Sequence, residues 1–290
     1  MKLSAEILLE LVHVAETAAR DAGALIASYR EREVKVLHKE AGDTLASQVV
    51  TEVDELAQTL ILNHLQPSIE RYDLALLTEE SEDDRSRHVK EAFWCIDPMD
   101  GTLPFTQGIP GYSVSIALVS SDGRPLVGIV YDPVKGKLYR AVIGQGTQID
   151  GKAWQSEAAS SSELSFYCDC TFDAHPDRDV IIEDIEAFAK VQGYAGLSVK
   201  SGGGGVLNAC WVLENPPAIY FKRPKIQVGG GSLWDFAATA CLFQEAGLHA
   251  TDFNGAPLDL NRAESTFMNH RGVCYATDSK LAEALRNWST

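Results

Sequence analysis

Between residues 5 and 30, Ile7, Leu8, Leu11, Val14, Ala15, Ala18, Ala22 and Leu25 recur at helical spacing, with Ser4 placed to cap the first turn. The pattern predicts a long amphipathic helix whose alanines allow close packing. A polar loop over residues 38–48 leads into Val49-Val50-Thr51-Glu52-Val53-Asp54. Val53, Leu56, Ala57, Leu60, Ile61 and Leu65 then predict a second helix, acidic in its first turn as the helix dipole prefers and stopped by Pro67. A short strand is expected over 74–77, ending in Thr78-Glu79-Glu80-Ser81, followed by a charged loop over 82–91. Strands at 112–119, 126–131 and 137–142 follow, with Ser121-Asp122-Gly123 and Gln148-Ile149-Asp150-Gly151 as hairpin turns. This first half reads as an antiparallel meander with little room for crossover helices.

The rhythm then changes. Strands are expected at 164–168, 197–200, 218–221 and 272–276, and helices at 180–191, 206–213 and 234–246, with a last helix capped by Asp278 and ending near Trp288. Alternating strands and helices predict an α/β layer. The change near residues 151–163 marks a subdomain boundary, dividing an N-terminal α+β unit (1–155) from a C-terminal α/β unit (156–290).

One stretch stands out: Trp94-Cys95-Ile96-Asp97-Pro98-Met99-Asp100-Gly101-Thr102. An apolar run breaks off at Asp97-Pro98, and two carboxylates three residues apart precede a glycine and a threonine. The two acids, with a carbonyl between them, make a cradle for a hard divalent cation. A surface turn is the competing reading, since Asp-Pro and Asp-Gly are both common turn dipeptides. Asp54, Glu79 and Asp235 also lie at strand or helix ends where side chains can converge, although each alone suits a helix start or a solvated loop.

Composition narrows the function classes. With 25 basic against 41 acidic residues the net charge is −16, which argues against nucleic acid or an anionic membrane as a general partner. A phosphorylated small molecule stays compatible if metal ions or a local basic patch offset the charge. No apolar run approaches the roughly 18 residues of a membrane span, and the first residues do not read as a secretory signal. Six scattered cysteines read as buried free thiols in a reducing cytosol, with Cys168 and Cys170 on one face of a strand. A cytoplasmic location is expected.

Taken together, Leu77-Thr78-Glu79-Glu80-Ser81, the Asp97-Pro98-Met99-Asp100-Gly101-Thr102 element with Phe105, Trp234-Asp235-Phe236-Ala237-Ala238 with Glu245-Ala246-Gly247, and Thr51-Glu52-Val53-Asp54 resemble the inositol monophosphatase superfamily of metal-dependent, lithium-sensitive phosphatases. The resemblance runs over nearly the whole chain. It implies an α/β (α+β) sandwich of the sugar-phosphatase type, layered αβαβα, and hydrolysis of a phosphate monoester by metal-activated water. By resemblance, Glu79, Asp97 and the Met99 carbonyl would hold a first magnesium ion, and Asp97, Asp100 and Asp235 a second, with two or three ions per subunit. Thr102, hydrogen-bonded to Asp54, would orient the attacking water, with Glu79 also catalytic. Backbone N–H groups of Gly101, Thr102 and Leu103 would receive the phosphate at the start of a helix in which Pro104 is tolerated. The family further implies a homodimer.

Specificity positions depart from the family pattern. Pro104-Phe105 and Gln107 stand where inositol phosphatases carry Asn-Phe and a histidine, and Gln48 replaces the usual aspartate. The acid expected before the Trp-Asp block gives way to Lys222-Arg223-Pro224-Lys225 and a glycine-rich insertion over 226–232. Lys222 and Arg223 have two readings: they bind a second phosphate, as in bisphosphate nucleotidases and sugar bisphosphatases, or they belong to a solvated loop. Gly204 and Gly205 sit where the family's substrate-facing helix begins, and either let backbone approach a ligand or form a flexible turn. Asp235 would also contact substrate.

Overall fold

The computed structural model of the chain describes residues 3–29, 36–38, 49–156 and 161–288. Helix α1 (Ala5–Tyr29) buries Leu8, Leu11, Val12, Ala15, Ala18, Ala19, Ala22 and Ile26 along one stripe. The Ile7 N–H donates to Ser4 Oγ at 3.4 Å, as the cap reading requires. Strands β1 (Val36–His38) and β2 (Val49–Thr51) pair antiparallel. Residues 39–48 of the expected polar loop, Gln48 included, lie outside the described residues.

Helix α2 (Glu52–Tyr72) does not stop at Pro67. A proline inside a helix costs about 3 kcal/mol through one lost donor and a steric clash. The turn beyond it buries Ser68 and Tyr72. Ser68 Oγ accepts from Trp94 Nε1 at 3.0 Å, and the Tyr72 hydroxyl donates to Glu10 at 2.7 Å. These tertiary contacts carry the helix through the proline.

The first sheet has seven strands in chain order: β3 (Ala75–Thr78), β4 (Ala92–Asp100), β5 (Ser113–Ser120), β6 (Pro125–Asp132), β7 (Lys137–Val142), β8 (Thr147–Ile149) and β9 (Lys152–Ala153). β3 runs parallel to β4, and the other pairs are the antiparallel meander the alternation predicts. A short helix, α3 (Thr102–Thr106), lies between β4 and β5. The charged loop over 82–91 is less solvated than its composition suggests. Arg87 is 1% exposed and donates to Asp83 at 2.9 Å, Asn261 at 2.6 Å and the Arg262 carbonyl at 2.9 Å.

The second sheet is built from β10 (Leu164–Asp169), β11 (Leu197–Gly203), β12 (Ala218–Lys222), β13 (His249–Thr251) and β14 (Val273–Ala276), in the spatial order β11-β10-β12-β14-β13. β10 is parallel to β11 and β12, whereas β14 is antiparallel to β12 and β13. Its helices are α4 (Arg178–Val191), α5 (Gly205–Glu214), α6 (Leu233–Ala246) and α7 (Ser279–Asn287), the last capped by Asp278, whose carboxylate accepts the Leu281 N–H at 2.9 Å. β13 went unpredicted because three half-buried residues carry no readable alternation.

Helices α1 and α2 cover one face of the first sheet, α5 and α6 fill the space between the sheets, and α4 and α7 cover the far face of the second. The result is the α-β-α-β-α layering. Strand β4 is buried along its whole length. Phe93 and Cys95 enter the core shared with α5 and α6, while Trp94 and Ile96 enter the core under α1 and α2. Burying each large apolar side chain contributes roughly 2 kcal/mol, so β4 is anchored from both faces where it must hold charged groups at its end.

Candidate active site

On a regular strand, residues three apart point to opposite faces. Asp97 pairs with Ser115 and Asp100 with Ser113, so three steps on β4 match two on β5. The extra residue is a β-bulge, and it returns Asp100 to the side occupied by Asp97. Pro98 sits in the bulge, where no ladder donor is needed. The Met99 N–H donates to Asp97 Oδ1 at 3.0 Å, closing a local turn. Gly101 then takes φ +86°, and a Cβ there would lie 2.5 Å from the Gly111 carbonyl oxygen.

Asp235 comes from the far half of the chain. It is the third residue of α6 and completes a capping box, accepting the Ser232 N–H on Oδ2 at 2.7 Å. Ligand oxygens of Asp97, Asp100 and Asp235 all lie within 4.8 Å of one another. Asp100 is anchored on the start of α5, its two oxygens accepting the Gly205 N–H at 3.1 Å and the Val206 N–H at 2.9 Å. A Cβ at Gly204 would lie 2.3 Å from Asp100 Oδ2, so the seat exists only while that residue is glycine.

These acids resist ionisation. Burial pushes Asp97 well above the usual carboxylate range, and the charges of Glu79, Asp100, Asp235 and Asp54 add to it. Burial and the Asp235 charge push Asp100 up to about 8, against the opposing Val206 hydrogen bond. Burial raises Asp235, partly offset by Lys222 and the Ser232 N–H. Burial would lower Lys222, but Asp169, Asp235 and Asp100 outweigh it and hold the ammonium protonated. Three crowded, all-oxygen donors that repel one another fit a hard divalent cation, whose charge removes the repulsion.

A cavity of about 700 Å³ opens over this cluster. Glu79, Asp97, Met99, Asp100, Gly101, Thr102, Gly204, Gly205, Lys222 and Asp235 line it. Asp54 is buried in the first turn of α2, close enough for its charge to act on Asp97, but is not a lining residue. Thr102 Oγ1 donates to the Met99 carbonyl at 3.3 Å. Leu103 is buried and does not line the cavity. Pro104 does, within the short α3.

Arg223 turns the other way from Lys222. Its guanidinium lies 4.6 Å from the Trp288 ring centroid and donates to the Trp288 carbonyl at 3.1 Å, with Phe221 and Phe253 around it. Lys222 is the last residue of β12, and Arg223, just past the strand end, is held in an aromatic cage. Asp169 and Thr171, which the sequence reading leaves unmarked, line the cavity together with Cys170. An acid at the end of an apolar run, the signal that marked Asp97, also marks Asp169. β10 ends one residue later than the pattern suggested, after a register shift between Cys168 and Asp169. Cys168 therefore faces the outer core while Cys170 reaches the cavity, and the two thiols do not share a face.

The profile of the inositol monophosphatase family matches residues 8–289. Inositol monophosphatase 2 of Solanum lycopersicum is 31% identical over 260 residues, covering 87% of this chain and 90% of that protein. The 3'(2'),5'-bisphosphate nucleotidase CysQ of Escherichia coli O157:H7 is 31% identical over 224 residues, covering 76% and 82%. Among solved structures, the extragenic suppressor protein suhB from Bartonella henselae matches with a TM-score of 0.73 at 23% identity, covering 97% of this chain and 100% of that one. That likeness speaks for the fold. Fold, site and relatives together define a phosphoric monoester hydrolase. More narrowly, the chain belongs to the inositol monophosphatase family.

Proposed function

We propose that this chain is a Mg²⁺-dependent phosphomonoesterase that hydrolyses a small sugar or polyol phosphate by direct attack of water, without a covalent phosphoenzyme. The observation that carries the reading is the convergence of Asp97, Asp100 and Asp235 within 4.8 Å at the floor of a cavity lined also by Glu79 and Thr102. Glu79, Asp97 and the Met99 carbonyl would hold one ion, and Asp97, Asp100 and Asp235 another. Divalent cations held there would supply acidification of the attacking water and positive charge for the leaving oxygen.

The chain's own groups do the positioning. Backbone N–H groups at Gly101 and Thr102, which line the cavity, would cradle the phosphate; Leu103, expected to join them, lies behind the wall. The Thr102 hydroxyl, which donates to the Met99 carbonyl here, would turn to Asp54 once that carbonyl holds an ion and would then align the attacking water, with Glu79 sharing in taking its proton. Gly204 leaves room for the Asp100 carboxylate and Gly205 donates its N–H to it, so both would flank the substrate from the cavity wall, where Lys222 stands paired with Asp169. Arg223 has no part in substrate contact, given its aromatic cage. Inhibition by millimolar lithium, a homodimeric assembly and a cytoplasmic location follow from the family resemblance and the cysteine pattern. No helix among the described residues is long and apolar enough to cross a membrane.

A second reading, a 3'(2'),5'-bisphosphate nucleotidase, is favoured by the similarity to CysQ and by Lys222 in the cavity wall. Comparing kcat/KM for inositol 1-phosphate, adenosine 3',5'-bisphosphate and fructose 1,6-bisphosphate, with Mg²⁺ and with chelator, separates the two. Metal-dependent preference for the monophosphate supports the first reading. A strong preference for adenosine 3',5'-bisphosphate would replace it with the second.

A further inference from the structure

Asp169 ends β10 and Lys222 ends β12, neighbouring parallel strands of the second sheet. Both line the cavity that holds Asp97, Asp100 and Asp235. Lys222 Nζ lies 2.8 Å from Asp169 Oδ2, with the two side chains 23% and 31% exposed. Asp169 Oδ1 accepts the Tyr220 hydroxyl at 3.0 Å and the Asn208 Nδ2–H at 3.1 Å. Tyr220 and Asn208 are themselves buried, so the carboxylate is clamped from behind while its ion pair meets the cavity.

The remaining bonding capacity can be counted. A carboxylate offers about four lone-pair sites and an ammonium three donors. Tyr220, Asn208 and Lys222 occupy three of the former, and Asp169 takes one of the latter. About one acceptor and two donors are left over. Adjacent hydroxyls, each both donor and acceptor, match that set. A second phosphate does not: the attraction of Lys222 is cancelled by Asp169, and the phosphate has no proton to offer the carboxylate.

We infer that the Asp169–Lys222 pair selects the leaving group, reading hydroxyls on a neutral polyhydroxylated skeleton and discriminating against one that carries a further phosphate. This rests on the phosphatase reading above. The pair sets specificity without touching the reacting atoms. A lysine replaces the acid that the family pattern places before the Trp-Asp block, and the carboxylate is supplied instead from the adjacent strand.

The test compares kcat/KM for inositol 1-phosphate and inositol 1,4-bisphosphate with Mg²⁺ in the wild type, Asp169→Asn and Lys222→Met. The wild type favours the monophosphate. Asp169→Asn leaves Lys222 unneutralised and shifts the ratio toward the bisphosphate by about tenfold, whereas Lys222→Met leaves a bare carboxylate and shifts it the other way. A merely structural ion pair would lower both substrates together and leave the ratio fixed, and that outcome overturns the inference. So does a wild type that prefers the bisphosphate. If Asp169→Asn fails to fold, the direction of the Lys222→Met shift decides alone. No metal-dependent phosphate release from either ester would overturn the phosphatase reading and this inference together.

Discussion

Asp100 and Val206 stand 106 residues apart in the chain, and the carboxylate of the first accepts the backbone N–H of the second at 2.9 Å. A bulged strand end in the first sheet is thereby held by the opening turn of a helix packed between the sheets. The positive end of α5 serves an acid that must remain charged when metal is bound. The site depends on both halves of the chain being docked.

Gly204→Ala tests that seat. Its Cβ would come within 2.3 Å of Asp100 Oδ2 and 2.6 Å of Oδ1, so either the carboxylate or the helix must move. The expected result is a loss of about 10- to 100-fold in Mg²⁺ affinity or activity, typical of disturbing a ligand's support, with secondary structure retained. Unchanged metal dependence would show that Asp100 is not held in this way.

The raised acids give a pH signature in metal-free protein. Asp100 in the fold is pushed up to about 8, against roughly 3.9 in an unfolded chain. The folded state thus binds a proton that the unfolded chain has lost. Its stabilising contribution is full below about pH 4 and vanishes as pH rises through about 8. With chelator present, Tm of the wild type relative to Asp100→Asn is expected to fall as pH rises across that window. Mg²⁺ should restore the wild type most at the alkaline end, with proton release measurable by calorimetry. A pH-independent Tm difference would count against the crowded-acid description.

Arg223 separates stability from recognition. Arg223→Ala removes a guanidinium 4.6 Å from the Trp288 ring centroid and a donor to its carbonyl. It should cost on the order of 1–2 kcal/mol of stability, while kcat/KM stays within a factor of about two. A raised KM at unchanged Tm would return Arg223 to the substrate.

Legibility in the sequence followed the physics. Helix α1, the meander and the helices of the second half carry strong periodicity, and they form where the pattern places them. The bulge between Asp97 and Asp100 was hidden, because spacing alone puts those acids on opposite faces. Pro67 misled because local propensity yielded to Ser68, Tyr72 and Trp94. The charged loop over 82–91 gave no sign that Arg87 is buried, because its partner Asn261 lies 174 residues away. Lys222 and Arg223 look like one basic cluster, yet Lys222 ends β12 on the cavity side while Arg223, just beyond the strand, is held in an aromatic cage. Asp169 was overlooked between two cysteines, since its role appears only when β10 and β12 are neighbours.

The most direct test replaces the acid at the centre of the cluster. Asp97→Asn keeps the shape of the side chain and removes the charge proposed to bridge two ions. Phosphate release from inositol 1-phosphate at saturating Mg²⁺ is expected to fall by several orders of magnitude, with an unchanged far-UV circular dichroism spectrum. Near-wild-type turnover by a folded Asp97→Asn protein would contradict the assignment of this cavity as a metal-dependent phosphatase centre.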